Sequence, residues 1–184
     1  PFPELKVNAV NAKALFKKHK VNNQKLLVSF MPGAEYGPAK QWPVAHFAEL
    51  AKKINQIGGQ VLIFGSDKDR NDGDVIAESN SNVINLCGKT TIEDAVDLIG
   101  TTHIAVTNDS GLMHLSIASN LKTIALFGPT NDKIYGHRNL NSFVIRTKER
   151  YESFNRNTID ISSSYMHSIK PKDILNFIKK NYLL

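Results

Sequence analysis

Residues 108–114, Asn108-Asp109-Ser110-Gly111-Leu112-Met113-His114, gather a carboxylate, a hydroxyl, a glycine and an imidazole in one short stretch. Ahead of them His103-Ile104-Ala105-Val106-Thr107 is apolar and β-branched; behind them residues 112–119 are apolar on nearly every side. The pattern reads as a buried strand, a tight polar turn and a buried helix. A helix start offers free backbone N–H groups that attract anions, and glycine lets a ligand approach the backbone. The same residue types also make an ordinary helix cap, with Asp109 or Ser110 holding the first turn and His114 facing solvent. Taken alone, the stretch favours the cap.

The candidates elsewhere reverse that preference. Pro32-Gly33-Ala34-Glu35-Tyr36-Gly37-Pro38-Ala39-Lys40 follows another apolar run. Its glycines allow inward-facing N–H groups, and Lys40 adds a mobile positive charge, a combination able to hold phosphate. Trp42, just beyond, fits packing under this loop better than stacking on a base. Gly65-Ser66-Asp67, Gly88-Lys89-Thr90 and Gly128-Pro129-Thr130 follow three further apolar runs. A carboxylate repels phosphate, so Asp109 suits sugar hydroxyls, whose hydrogen bonds it accepts strongly. Ser110, Gly111 and the helix start suit a diphosphate. His114 is within reach of a phosphate or hydroxyl and, when protonated, can help a leaving group depart.

Competing chemistries lack their motifs. There is no Gly-x-Gly-x-x-Gly and no Gly-x-x-x-x-Gly-Lys-Ser/Thr, which argues against a dinucleotide oxidoreductase and a P-loop NTPase. No Gly-x-Ser-x-Gly elbow surrounds Ser110, which argues against a hydrolase. Histidines 19, 46, 103, 114, 137 and 167 have no metal-ligand spacing, and Cys87 stands alone, so no metal site is expected.

The elements that must position these residues alternate regularly. Strands are expected at 27–31, 61–64, 83–86, 103–107 and 123–127, with an edge strand at 143–145. Helices are expected at 44–57, 69–79, 90–99 and 112–119, and a C-terminal helix at 171–182. Thr90-Thr91-Ile92-Glu93 has capping-box spacing, and Gly100 is expected to close that helix. Residues 1–25 read as a lead-in or interdomain connection, with a short helix at 11–20, residues 26–184 as the domain, and 147–164 as loop. This is an α/β pattern: a parallel sheet with helices on both faces. Such sheets bind ligands beyond the carboxyl ends of their strands, near the topological switch point. All five special loops lie at that edge.

Bulk properties set limits. With 184 residues, 41% hydrophobic and 22% charged, the chain makes one globular, soluble domain. No apolar run is long enough to span a bilayer. The start, Pro1-Phe2-Pro3-Glu4-Leu5, has neither an initiator Met nor the charged leader and apolar block of a signal peptide, so a longer natural polypeptide is expected. The lone cysteine suits a reducing cytoplasm. The net charge of +6 favours an anionic partner: nucleotide phosphates, a phosphorylated glycan or an anionic membrane face. Part of it lies in scattered tail lysines such as Lys170, Lys172, Lys179 and Lys180, which fit a solvated surface. No basic helix or aromatic platform suggests nucleic-acid binding.

Four runs in order resemble one family. Residues 30–43, Phe64-Gly65-Ser66-Asp67-Lys68-Asp69, residues 106–114 and Phe127-Gly128-Pro129-Thr130 look like the C-terminal half of the ADP-heptose:lipopolysaccharide heptosyltransferases of glycosyltransferase family 9. The run at 32–40 is most like the heptosyltransferase II branch. The resemblance implies one Rossmann-like half of a GT-B fold, an inverting transfer of heptose from ADP-heptose to the lipopolysaccharide inner core, and no cofactor. It places Lys40 near the donor diphosphate and Asp109, Ser110, Gly111 and His114 in the nucleotide-sugar pocket. Asp67 falls near the adenosine ribose, Ser66 beside it among the donor-binding residues, Gly33 where the loop approaches the ligand, and Thr130 at the rim. The acceptor-binding N-terminal domain and its general base are expected outside this chain, so no catalytic residue is assigned within it. The expected location is cytoplasmic, peripheral at the inner membrane of a Gram-negative-type bacterium. A non-catalytic nucleotide-binding module is the alternative. A nucleotide-sugar epimerase fits less well, because further acid-base residues are not apparent.

Overall fold

A computed structural model describes residues 3–35, 38–78, 80–128, 130–136, 139–147 and 166–182. Six strands form one sheet: β1 (Leu27–Met31), β2 (Gln60–Ile63), β3 (Val83–Asn85), β4 (Ile104–Asn108), β5 (Thr123–Phe127) and β6 (Ser142–Arg146). Their order is β3-β2-β1-β4-β5-β6, and every neighbouring pair is parallel. The chain therefore builds outward from β1 on one side and from β4 on the other. The switch point lies between these two strands, the place where sheets of this kind bind ligands beyond their carboxyl ends.

Every residue of β1, β4 and β5 is buried, as expected of parallel strands covered on both faces. Alternate side chains feed two cores. Val28, Phe30, Val61, Ile63, Ile104, Val106, Ile124 and Leu126 meet α2 (Val44–Gln56), α3 (Arg70–Glu78) and α7 (Pro171–Tyr182). On the opposite face Met31, Leu62 and Ala105 meet α1 (Ala9–Lys18) and α4 (Ile92–Gly100), while Ala125 and Phe127 meet α5 (Gly111–Ala118). A four-residue α6 (Asp132–Tyr135) follows β5, where sequence periodicity gives no signal.

The first residues are packed onto this body. Asn8 caps α1, accepting from the N–H groups of Val10 and Asn11. Its own N–H donates to Asp97 Oδ1 at 2.7 Å, and Asn11 Nδ2 donates to Asp97 Oδ2 at 2.8 Å. The Leu5 N–H donates to the Ala118 carbonyl at 2.8 Å. Two local expectations change. Thr91, not Thr90, caps α4, accepting from the Asp94 N–H. Gly100 lies inside α4 rather than closing it, because Val7 packs where its Cβ would be. Gly58, by contrast, does end α2: its φ of +83° is the left-handed conformation that follows a helix C-cap.

Candidate active site

Two loops flank the switch point. The loop after β1 runs from Pro32 to Pro43, with a 3-10 turn at Pro38–Lys40. The loop after β4 is a single tight turn, because α5 begins at Gly111. Asn108, the last residue of β4, is fully buried and joins them. Its Oδ1 accepts from the Trp42 N–H at 3.0 Å, and its Nδ2 donates to the Pro32 carbonyl at 2.6 Å. Trp42 is itself fully buried, and its Nε1 donates to the Ile169 carbonyl at 2.9 Å. The indole therefore packs beneath the loop.

Lys40 and Asp109 meet across the gap. Nζ lies 2.7 Å from Oδ2, with side-chain exposures of 12% and 7%. The same oxygen accepts from the Thr130 hydroxyl at 2.7 Å, and Thr130 is buried. Three loops, after β1, β4 and β5, thus converge on one carboxylate oxygen. Asp109 Oδ1 is not engaged in these two contacts.

The cap suggested by the local sequence does not form. Ser110 has extended backbone (φ −147°, ψ 171°) and makes no side-chain capping bond. Its hydroxyl is buried without a hydrogen-bond partner among the described residues. Gly111 is exposed, and a Cβ there would meet open space. His114 is half-buried and lies one turn into α5. No side chain caps the start of α5; the Met113 N–H turns back to the Ser110 carbonyl at 3.2 Å, and the Gly111 and Leu112 amides ahead of it are placed to meet an anion.

Gly33, Gly65 and Ser66 form a second group around Asp69. Asp69 Oδ2 accepts from both the N–H and the hydroxyl of Ser66, each at 2.7 Å. A Cβ on Gly33 would lie 2.5 Å from Asp69 Oδ1, and one on Gly65 would lie 2.8 Å from the Asp69 Cβ. The glycine at 33 thus makes room for a protein carboxylate, which sequence alone does not reveal. Asp67 points outward, 78% exposed, and pairs with Arg70 at 2.5 Å. Lys89, after β3, donates to the Asn85 carbonyl at 3.0 Å and serves its own turn. Tyr36, Gly37, Pro129 and His137 lie outside the described residues, as does most of the loop expected at 147–164.

Two residues with no assigned role in the sequence reading organise the site. Asn108 is detectable as a polar residue ending an otherwise apolar strand. Asp69 is detectable from the Ser66-x-x-Asp69 spacing, a capping-box pattern. His103 proves structural, its Nδ1 accepting from the Leu27 N–H at 3.0 Å. Among the described residues no group of three or more His, Cys, Asp or Glu could hold a metal ion.

Known proteins share this fold. The pattern of the family described as Glycosyltransferase family 9 (heptosyltransferase) matches residues 1–165. Lipopolysaccharide heptosyltransferase 2 of Salmonella typhimurium is 42% identical over 135 residues, covering 71% of this chain and 39% of that protein. Lipooligosaccharide heptosyltransferase 2 of Campylobacter jejuni is 36% identical over 140 residues, covering 67% of this chain and 44% of that protein. The chain thus spans about two fifths of these relatives. The solved structure of E. coli ADP-heptose lipopolysaccharide heptosyltransferase II superposes with a TM-score of 0.85 at 33% identity, over 97% of this chain and 53% of that one. The Rossmann-like domain corresponds to one half of a GT-B fold. On its sequence and its fold alike, the chain belongs to glycosyltransferase family 9, the heptosyltransferases.

Proposed function

We propose that this domain binds the ADP-heptose donor of an inverting heptosyltransferase that extends the lipopolysaccharide inner core. The observation that carries the reading is the Lys40–Asp109–Thr130 cluster at the switch point, beside the uncapped start of α5. The start of α5 offers positive potential where a diphosphate would lie, and the Lys40 ammonium, charge-balanced by Asp109, adds N–H donors beside it. The relatives support the choice of sugar: they are named heptosyltransferases, and E. coli heptosyltransferase structures include one with ADP.

The geometry suggests a division of labour. The Lys40 ammonium and the first amides of α5 hold the diphosphate and take up the charge that grows on it as the sugar leaves. Asp109 Oδ1 accepts from a sugar hydroxyl, while Lys40 and Thr130 hold Oδ2 in place. Ser110 contributes its buried hydroxyl, and His114 donates to a phosphate oxygen. Ser66 and Asp67 lie toward the nucleoside. An acceptor hydroxyl then attacks the anomeric carbon from the opposite side, the bond to the diphosphate breaks, and ADP departs with the electron pair. The base that takes the acceptor proton belongs to the acceptor-binding half of the longer relatives. In this scheme Lys40 and the helix start supply the positive charge, and no cofactor is invoked. The enzyme works in the cytoplasm at the inner-membrane surface, where its acceptor is assembled; no helix among the described residues is long and apolar enough to cross a membrane.

Calorimetric titration of ADP, ADP-heptose and UDP-sugars tests the reading. ADP ligands should bind and UDP-sugars should not. No ADP binding at millimolar ligand, or preference for UDP-sugars, overturns it.

A further inference from the structure

We infer that Asn108 is the positioning residue of the donor site, the side chain that sets the β1 loop so that Lys40 reaches Asp109. This inference rests on the donor-binding reading. It starts from a buried polar group with both halves of its amide used. Asn108 is fully buried, and its two partners are the first and eleventh residues of one loop: the Pro32 carbonyl and the Trp42 N–H. The side chain therefore closes the loop across its base.

Only one kind of side chain makes this clamp. The Pro32 carbonyl needs a donor and the Trp42 N–H needs an acceptor, and a carboxamide presents both from one planar group. Leucine offers neither. An ionised aspartate can accept from Trp42 but sets a negative oxygen against a carbonyl, where the structure has a 2.6 Å hydrogen bond. The sequence separations are 76 and 66 residues, so the clamp is tertiary rather than a local turn.

The position of the clamp gives it a role beyond stability. Lys40 is two residues before Trp42, and Asp109 is the residue after Asn108. One side chain thus fixes the spacing between the two loops that supply the central ion pair. Its other contact, through Trp42, is braced from behind by the indole bond to the Ile169 carbonyl. Loss of the clamp frees the base of the Lys40 loop while leaving the strand and both apolar cores in place.

Asn108→Asp and Asn108→Ser test this, each compared with wild type at every pH from 5.5 to 9 by ADP titration, thermal unfolding and amide hydrogen exchange. Asn108→Ser is too short to span the loop. It should fold cooperatively, bind ADP roughly tenfold more weakly, and show faster exchange at the Trp42 amide. Asn108→Asp should show the same defect when ionised. Its affinity relative to wild type should recover in acid, where a protonated carboxyl again donates to Pro32, a profile that lost packing alone does not produce. Wild-type affinity in Asn108→Ser, or an Asn108→Asp to wild-type ratio that stays at one throughout, overturns the inference. If wild type itself fails to bind ADP, the donor reading fails. Trp42 exchange then judges the clamp alone, and unchanged protection in Asn108→Ser overturns it.

Discussion

Lys40 and Asp109 sit on opposite sides of the β1/β4 gap, yet their side chains meet at 2.7 Å with little exposure to solvent. Ion pairs on the surface contribute little, but stranding one partner of a buried pair leaves an uncompensated charge. This contact therefore ties the β1 and β4 loops together, and under the proposed function it does so at the donor site.

Removing one partner should be worse than removing both. Lys40→Met or Asp109→Asn should each lower stability in urea unfolding, Lys40→Met by about 3 kcal/mol because it leaves the carboxylate with Thr130 alone. The double variant should lose less than Lys40→Met alone, and so less than the sum of the singles, since it strands no buried charge. Strict additivity would show that the pair does not couple. All three variants should lose ADP binding in the same calorimetric assay.

Gly33 and Asp69 should behave as a second coupled pair. Gly33→Ala places a methyl 2.5 Å from Asp69 Oδ1, so the carboxylate must swing away from Ser66. The expected loss is about 1 kcal/mol, that of a partly exposed charged hydrogen bond. In an Asp69→Ala background the same alanine should cost almost nothing. An equal cost in both backgrounds, read from denaturant midpoints, would remove Asp69 as the reason for the glycine.

Acid should weaken the packing of the C-terminal segment on α2. Burial, then the neighbouring His167 and Lys170, hold the His46 imidazole below its ordinary value of 6.5, against a smaller opposing pull from Glu49. His46 and His167 stack edge to face at 5.5 Å, and His46 meets Trp42 at 5.4 Å. A lowered folded pKa means the unfolded chain binds more protons, so stability should fall as pH drops below 6.5 toward the folded value. His46→Phe keeps a ring in place and should flatten that part of the acid limb. Thermal unfolding from pH 8 to pH 5 checks this; an unchanged slope in the variant would assign the acid sensitivity elsewhere.

The single cysteine should be inert in the folded protein. Cys87 is buried, and burial first, then Asp69, push its thiol up to about 12. Only the thiolate is strongly nucleophilic. Iodoacetamide at pH 8 should label the unfolded chain within minutes and the native chain only at the rate of unfolding, as read by intact mass.

The sheet was legible because its strands are short, apolar and punctuated by glycine. The bounds expected for β1 and β5 match at both ends, and the edge strand lies where Phe143-Val144-Ile145 suggested. α6 was not legible, since four residues cannot display a helical period. Gly100 misled because a glycine near a helix end signals termination, whereas here the missing side chain admits Val7. In the site, Lys40, Asp109 and Thr130 were each visible as residue types in a loop that follows a strand. Their convergence on one oxygen was not, because it depends on β1, β4 and β5 being neighbours. For the same reason Asn108 read as part of a turn rather than as a clamp on a distant loop.

Trp42 is the chain's only tryptophan, held by its backbone N–H at Asn108 and by its indole N–H at Ile169. The protein thus carries a built-in optical reporter at the joint between the Lys40 loop and the segment leading into α7. A red shift in its emission would announce water reaching that joint, whether the loop lifts from one side or the C-terminal helix peels from the other.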